Sequence, residues 1–231
     1  MSNYTIFIDE TKSNDNSQGF CAIAIEENFL DKYRAEIEQK RMDLLDDPLY
    51  DYPFTGKMNQ QALAKSFHMT ENHPDTREKI WEVIRYFSYE AFIFVYHNVS
   101  DENKIRNIFL NYLYRFLKQR YKTSNVSFIW ETDTSQSFSY PAKIPIQEKS
   151  KVEEPLLSIA DHVLFVFWRG YKQDYTSNNE YQKTSDKKFY EMFKEKLRFT
   201  KIDTIRKPYT HKNPLELWKT ISAVEKEDCK K

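Results

Sequence analysis

Glycine is almost missing from this chain: Gly19, Gly56 and Gly170 are the three among 231 residues. That excludes a G-x-G-x-x-G fingerprint and a P-loop, both of which need several glycines where the backbone meets phosphate. A Rossmann dinucleotide site or a phosphate-cradling NTPase is therefore not expected. Cysteine is as scarce. Cys21 and Cys229 lie at opposite ends with no C-x-x-C spacing, which excludes a disulfide scaffold and a thiolate zinc site. A reducing, cytoplasmic setting is expected, with no signal peptide ahead of the first strand. Long apolar runs are also lacking. The most apolar stretch, residues 155–168, is broken by Asp161 and His162 and is too short for a bilayer, so no membrane partner is expected. No Ser/His/Asp or Cys/His arrangement carries a motif around it.

Aromatics, by contrast, are plentiful, with 17 Phe and 16 Tyr. They argue against disorder, and the chain is long enough to bury a sizeable core. Net charge is zero, yet residues 183–212 hold ten Lys/Arg against four Asp/Glu. Charge segregation of this kind can set an acidic site beside a basic binding surface, or can be a solvated helix face.

The pattern predicts strands at residues 4–10, 20–25, 63–69, 91–96 and 126–131, with an edge strand at best near Ile144 and Ile146 because Pro145 cannot donate. Amphipathic helices are predicted over 26–46, from about 75, and over 101–121. The last has Ile105, Ile108, Phe109, Tyr112, Leu113 and Phe116 as its apolar set. A buried helix is expected over 153–171 and a basic one over 187–198, followed by short helix and tail. Strands alternating with helices give an α/β class with a mixed sheet flanked by helices. One domain over 1–175 is expected, with a basic helical C-terminal extension, 176–231, packed on it.

Residues 4–10, Tyr-Thr-Ile-Phe-Ile-Asp-Glu, put apolar side chains on both alternating sets and end in two carboxylates. That suits a central strand delivering charge to the rim of the sheet. The 126–131 strand also ends in acid, Glu131 and then Asp133. Asp161 is the most informative residue: a carboxylate in a nearly all-apolar helix must have a partner or a metal, or be neutral. Ser158 and Glu154 share its face, whereas His162 points about 100° away. Three elements thus end or turn in acid. Divalent cations would remove the repulsion, and oxygen-only donors suit Mg²⁺ or Mn²⁺. His68 with Glu71 is a candidate general base, metal ligand or phosphate contact, or a satisfied core histidine.

Phe7-Ile8-Asp9-Glu10, Ser66-Phe67-His68, Phe128-Ile129-Trp130-Glu131, Lys149-Ser150-Lys151 and Leu157-Ser158-Ile159-Ala160-Asp161 together, in that order, resemble the motifs of the domain-of-unknown-function 3800 family. The resemblance covers roughly residues 3–172. It implies an RNase H-like fold and a metal-dependent nuclease site. Asp9, Glu131 and Asp161 would be the metal-binding acids, Glu10 an adjacent helper and Asp133 an alternative ligand. The departures are Thr11-Lys12 in place of Ser-Gly after the acids, Ser158 in place of Gln, and Glu131 in place of Asp.

The first expectation is a nuclease cleaving RNA or DNA phosphodiesters with two Mg²⁺ or Mn²⁺ ions. Lys151, Lys187, Lys188, Lys194 and Lys201 would contact nucleic acid, with Phe189, Tyr190, Phe193, Phe199 and Tyr209 interleaved for stacking. The second is a non-catalytic binding or regulatory subunit on the same fold, working with a protein partner or as a homo-oligomer in a phage-defence or mobile-element setting. Like-charge repulsion predicts that Asp161→Asn raises the melting temperature of the metal-free protein.

Overall fold

Both alternating sets of the first strand are buried, as a central position requires. The computed structural model describes residues 3–50, 55–122, 125–132, 144–172, 180–203 and 208–211. Strand β1 (Tyr4–Lys12) is followed by β2 (Gln18–Glu26), antiparallel to it, and β3 (Glu90–Tyr96), antiparallel to β2. On the other flank β4 (Val126–Glu131) runs parallel to β1, and β5 (Ile146–Lys149) parallel to β4. Beyond β3 come β6 (Leu197–Asp203), parallel to it, and β7 (Pro208–His211), antiparallel to β6. Among the described residues the order is β5-β4-β1-β2-β3-β6-β7, a mixed α/β sheet.

Helix α4 (Glu102–Arg120) covers one face, packing Phe109, Leu110, Leu113 and Leu117 on Ile6, Ile8, Phe20 and Phe94. The other face takes α1 (Leu30–Asp46), α3 (Pro74–Ile84), α5 (Leu157–Lys172) and α6 (Glu180–Phe193), which share a core with Phe7, Cys21, Ile23, Ile93 and Ile129. Local chemistry starts the helices. Asp101 Oδ1 accepts the Lys104 amide at 3.0 Å to cap α4, and Pro74 occupies the first turn of α3 after His73.

Four expectations need correction. Residues 63–69 are no strand: Leu63 ends a short helix, α2 (Lys57–Leu63), and Phe67 and Met69 are buried from a loop. The basic helix stops at Phe193, where apolar spacing switches to the alternation of Leu197 and Phe199, so Arg198 and Lys201 lie in β6. The C-terminal segment therefore adds strands as well as a helix, and β6 pairs within the same sheet. Finally, the buried line of α4 runs through Arg106 and leaves Ile108 exposed, because Arg106 is drawn inward to Glu10.

Gly19 lies under Trp168 of α5. A Cβ there would stand 2.6 Å from two indole carbons, Cε3 and Cζ3, inside van der Waals contact. Gly19→Ala is expected to lower the melting temperature, since overpacking costs about 1–3 kcal/mol. A thermal melt checks this, and an unchanged midpoint contradicts it.

Candidate active site

Register brings the acids together. Phe7 of β1 stands opposite Ile129 of the parallel β4, and Ile8 opposite Trp130. One step further, Asp9 and Glu131 are neighbours at the carboxyl ends of the two strands. Each continues the face of Phe7 and Ile129, which is the face α5 covers. Asp161, in the second turn of α5, comes down over them, and all three acids line one cleft of about 620 Å³.

At the centre of the cluster stands Lys151, a residue that sequence reasoning places on a nucleic-acid surface. Its side chain is 6% exposed, and Nζ donates to Glu131 Oε1 at 2.7 Å and to Asp161 Oδ2 at 3.2 Å. The three carboxylates hold its ammonium well above the ordinary lysine range, with Asp161 the strongest, despite the opposing effect of burial. Lys151 is therefore an internal counterion and not a surface contact. Its flanking residues mark a motif position but not this burial; the placement of β5 beside β4 brings it inward.

The two aspartates respond in opposite directions. Burial first, then the Glu131 charge, pushes the Asp9 carboxyl well up. Asp9 Oδ1 also accepts the Glu10 amide at 2.7 Å. Asp161 is shifted down despite its burial, because Lys151 and the Met69 amide, 3.0 Å from Oδ2, stabilise its charge. That reverses the expectation for Asp161→Asn. Removing one partner of a buried ion pair costs about 3–5 kcal/mol, so the metal-free variant is expected to melt lower than wild type. Because its carboxyl is depressed on folding, Asp161 stabilises above its unfolded pKa, and that contribution is lost as pH falls through its folded pKa. The melting deficit should accordingly shrink in acid, and a deficit constant with pH contradicts the pairing.

His68 closes the other side of Lys151, with Nδ1 3.4 Å from Nζ. Burial, then the Lys151 charge, lowers its pKa, so the imidazole faces the ammonium as a neutral acceptor. Its loop is built by amides: Asn72 Oδ1 accepts the His68 N–H at 2.7 Å, and Asn59 Oδ1 accepts the His73 N–H at 2.8 Å. Glu71, Thr70 and Thr132 also line the cleft, and Leu164, Phe165 and Trp168 form an apolar wall one and two turns along α5 from Asp161.

Other candidates are engaged by partners outside the acid cluster. Glu10 points to the α4 face, where Arg106 Nε donates to Oε2 at 2.8 Å and Gln18 Nε2 to the same oxygen at 3.2 Å. Its carboxylate is paired to Arg106, while the residue also lines the cleft and its amide donates to Asp9 Oδ1. Glu154 is held by Arg34, NH2 to Oε2 at 2.7 Å. His162 is a core residue pushed down to about 4 by burial, its Nδ1 2.6 Å from the Ser158 carbonyl. Asp133 and Cys229 fall outside the described residues.

Among the described residues, the candidate lysines do not form one surface. Lys187 and Lys188 are exposed on α6, with Lys188 paired to Glu78, and Lys194 is paired to Glu191. Lys201 lies on the opposite face of the sheet, its Nζ 4.3 Å from the Tyr112 ring centre. Phe189, Tyr190, Phe193 and Phe199 are buried in the cores, where they cannot stack on bases. The side chain of Tyr209 falls outside the described residues.

Among the described residues no three His, Cys, Asp or Glu side chains are disposed to hold a metal ion, and an ammonium lies between Glu131 and Asp161. The donor chemistry nevertheless fits a hard cation. All ligands are oxygens, three carboxylates face one ammonium, and Glu131 Oε2 is buried without a hydrogen-bond donor. The chain matches no protein-family model, no curated protein and no solved structure. Among the described residues no helix is long and apolar enough to cross a membrane.

Proposed function

We propose that this chain is a divalent-metal-dependent nuclease of RNase H-like fold that hydrolyses phosphodiester bonds of RNA or DNA. The observation that carries the reading is the convergence of Asp9, Glu131 and Asp161, from three separate elements, on the floor of one cleft. The antiparallel β1-β2-β3 meander, with β4 and β5 parallel beside β1, supports the fold assignment. Mg²⁺ or Mn²⁺ held by these carboxylates would supply an activated water and charge neutralisation at phosphorus. Lys151 adds a fixed positive charge beside the acids, His68 offers a neutral imidazole at the rim, and the Leu164–Phe165–Trp168 wall packs against sugar or base.

The test is hydrolysis of end-labelled RNA and DNA by metal-stripped protein, with and without Mn²⁺ or Mg²⁺. Cleavage should require the ion and fall to background in Asp9→Asn. Cleavage that survives both EDTA and Asp9→Asn, or none from wild type under any of these conditions, contradicts the reading. A non-catalytic nucleic-acid-binding domain is the second reading, favoured by the lysine already lodged between two of the acids. It predicts binding without cleavage in the same assay.

A further inference from the structure

We infer that Lys151 takes the place of a second metal ion, so that the cluster binds one divalent cation, at Asp9 and Glu131, with Asp161 holding the lysine. The inference rests on the metal-site reading above and narrows it. An ammonium 2.7 Å from Glu131 Oε1 and 3.2 Å from Asp161 Oδ2 fills the space in which an ion bridging those two oxygens would lie. The same Asp161 oxygen also accepts the Met69 amide at 3.0 Å, so Oδ2 is committed to donors of the protein itself. The opposite side of the cluster is unlike this. Asp9 and Glu131 stand side by side at the ends of the paired strands β1 and β4 and line the same cleft, and Glu131 Oε2 is buried with no donor. The ammonium engages Glu131 through Oε1, so Oε2 is the buried carboxylate oxygen of the cluster that no donor reaches.

Lys151 is also anchored so that it does not swing away readily. It is buried, starts the turn that leads into α5, and has His68 Nδ1 on its far side at 3.4 Å. A mobile surface lysine could yield to a second ion; one enclosed by two carboxylates and an imidazole is held. A divalent metal and this ammonium are thus complementary occupants of one cluster.

The experiment counts Mn²⁺ bound to the full-length, metal-stripped protein, by calorimetry and by the loss of the free-ion paramagnetic signal. Wild type should bind one Mn²⁺, Asp161→Asn should still bind one, and Asp9→Asn none. Lys151→Met should bind two. If that variant does not fold, wild type and the two aspartate variants decide the matter alone. Two ions on wild type, or loss of binding in Asp161→Asn, overturns the one-ion arrangement while leaving a metal site in place. No binding to wild type overturns the metal reading itself and the inference with it.

Discussion

Lys151→Met should lower the melting temperature of the metal-free protein by roughly 6–20 °C, taking about 3–5 kcal/mol for a buried pair that loses one partner and about 2–4 °C per kcal/mol at this chain length. Methionine nearly preserves the length and apolar stem of lysine, so the loss isolates the charge. Without the ammonium, Glu131 and Asp161 keep their burial and lose their common counterion at 2.7 and 3.2 Å. The acids then repel one another, and the deficit should narrow in acid, where protonation removes the repulsion. Saturating Mn²⁺ should recover part of the loss, because the cation supplies the missing charge. Melts at pH 5 and pH 8, with EDTA or Mn²⁺, check all of this. A midpoint within a degree or two of wild type in EDTA at pH 8 contradicts the placement of Lys151.

Asp9→Asn should move stability the other way and remove the response to metal. Asp9 is the acid raised by burial and by Glu131, so folding takes up a proton there. A group with a raised folded pKa stabilises below its unfolded pKa and loses that contribution as pH rises through the folded value. Metal-free wild type should accordingly weaken from acid toward alkaline pH, while Asn, which keeps an oxygen for the Glu10 amide, should not. The variant is expected to melt higher than wild type at pH 8, with the gap growing with pH. Wild type should gain roughly 2.7 kcal/mol when Mn²⁺ stands at a hundred times its Kd, and the variant close to nothing. An Asp9→Asn protein that melts lower in EDTA, or gains equally from Mn²⁺, contradicts the role given to Asp9.

Much of the frame is legible in the residues. β1 is recognised because Ile6, Phe7 and Ile8 are apolar on both faces, and β4 because Val126–Glu131 is a β-branched and aromatic run ending in acid. The buried set of α1, Leu30, Tyr33, Ile37 and Leu44, follows from helical spacing alone. Asp9, Glu131 and Asp161 are found because acid at the end of an apolar run must be accounted for. What escapes depends on partners distant in sequence. Arg106 is charged and looks solvated until Glu10, from β1, draws it inward. Leu197–Asp203 carries Arg198 and Lys201 on a strand, and the lysines hide an alternation that only pairing with β3 makes use of. Lys151 is legible as a motif residue beside Lys149 and Ser150 and as a basic contact, but not as a counterion buried among the acids. Its burial depends on β5 lying beside β4, and short strands after a proline give a weak signal.

The most direct measurement is a crystal of the metal-stripped protein soaked in Mn²⁺ near pH 8, read by anomalous scattering. The account predicts a single anomalous peak against the carboxylates of Asp9 and Glu131, with Lys151 still between Glu131 and Asp161. A cluster closed around Lys151 with no peak at saturating Mn²⁺ would contradict it.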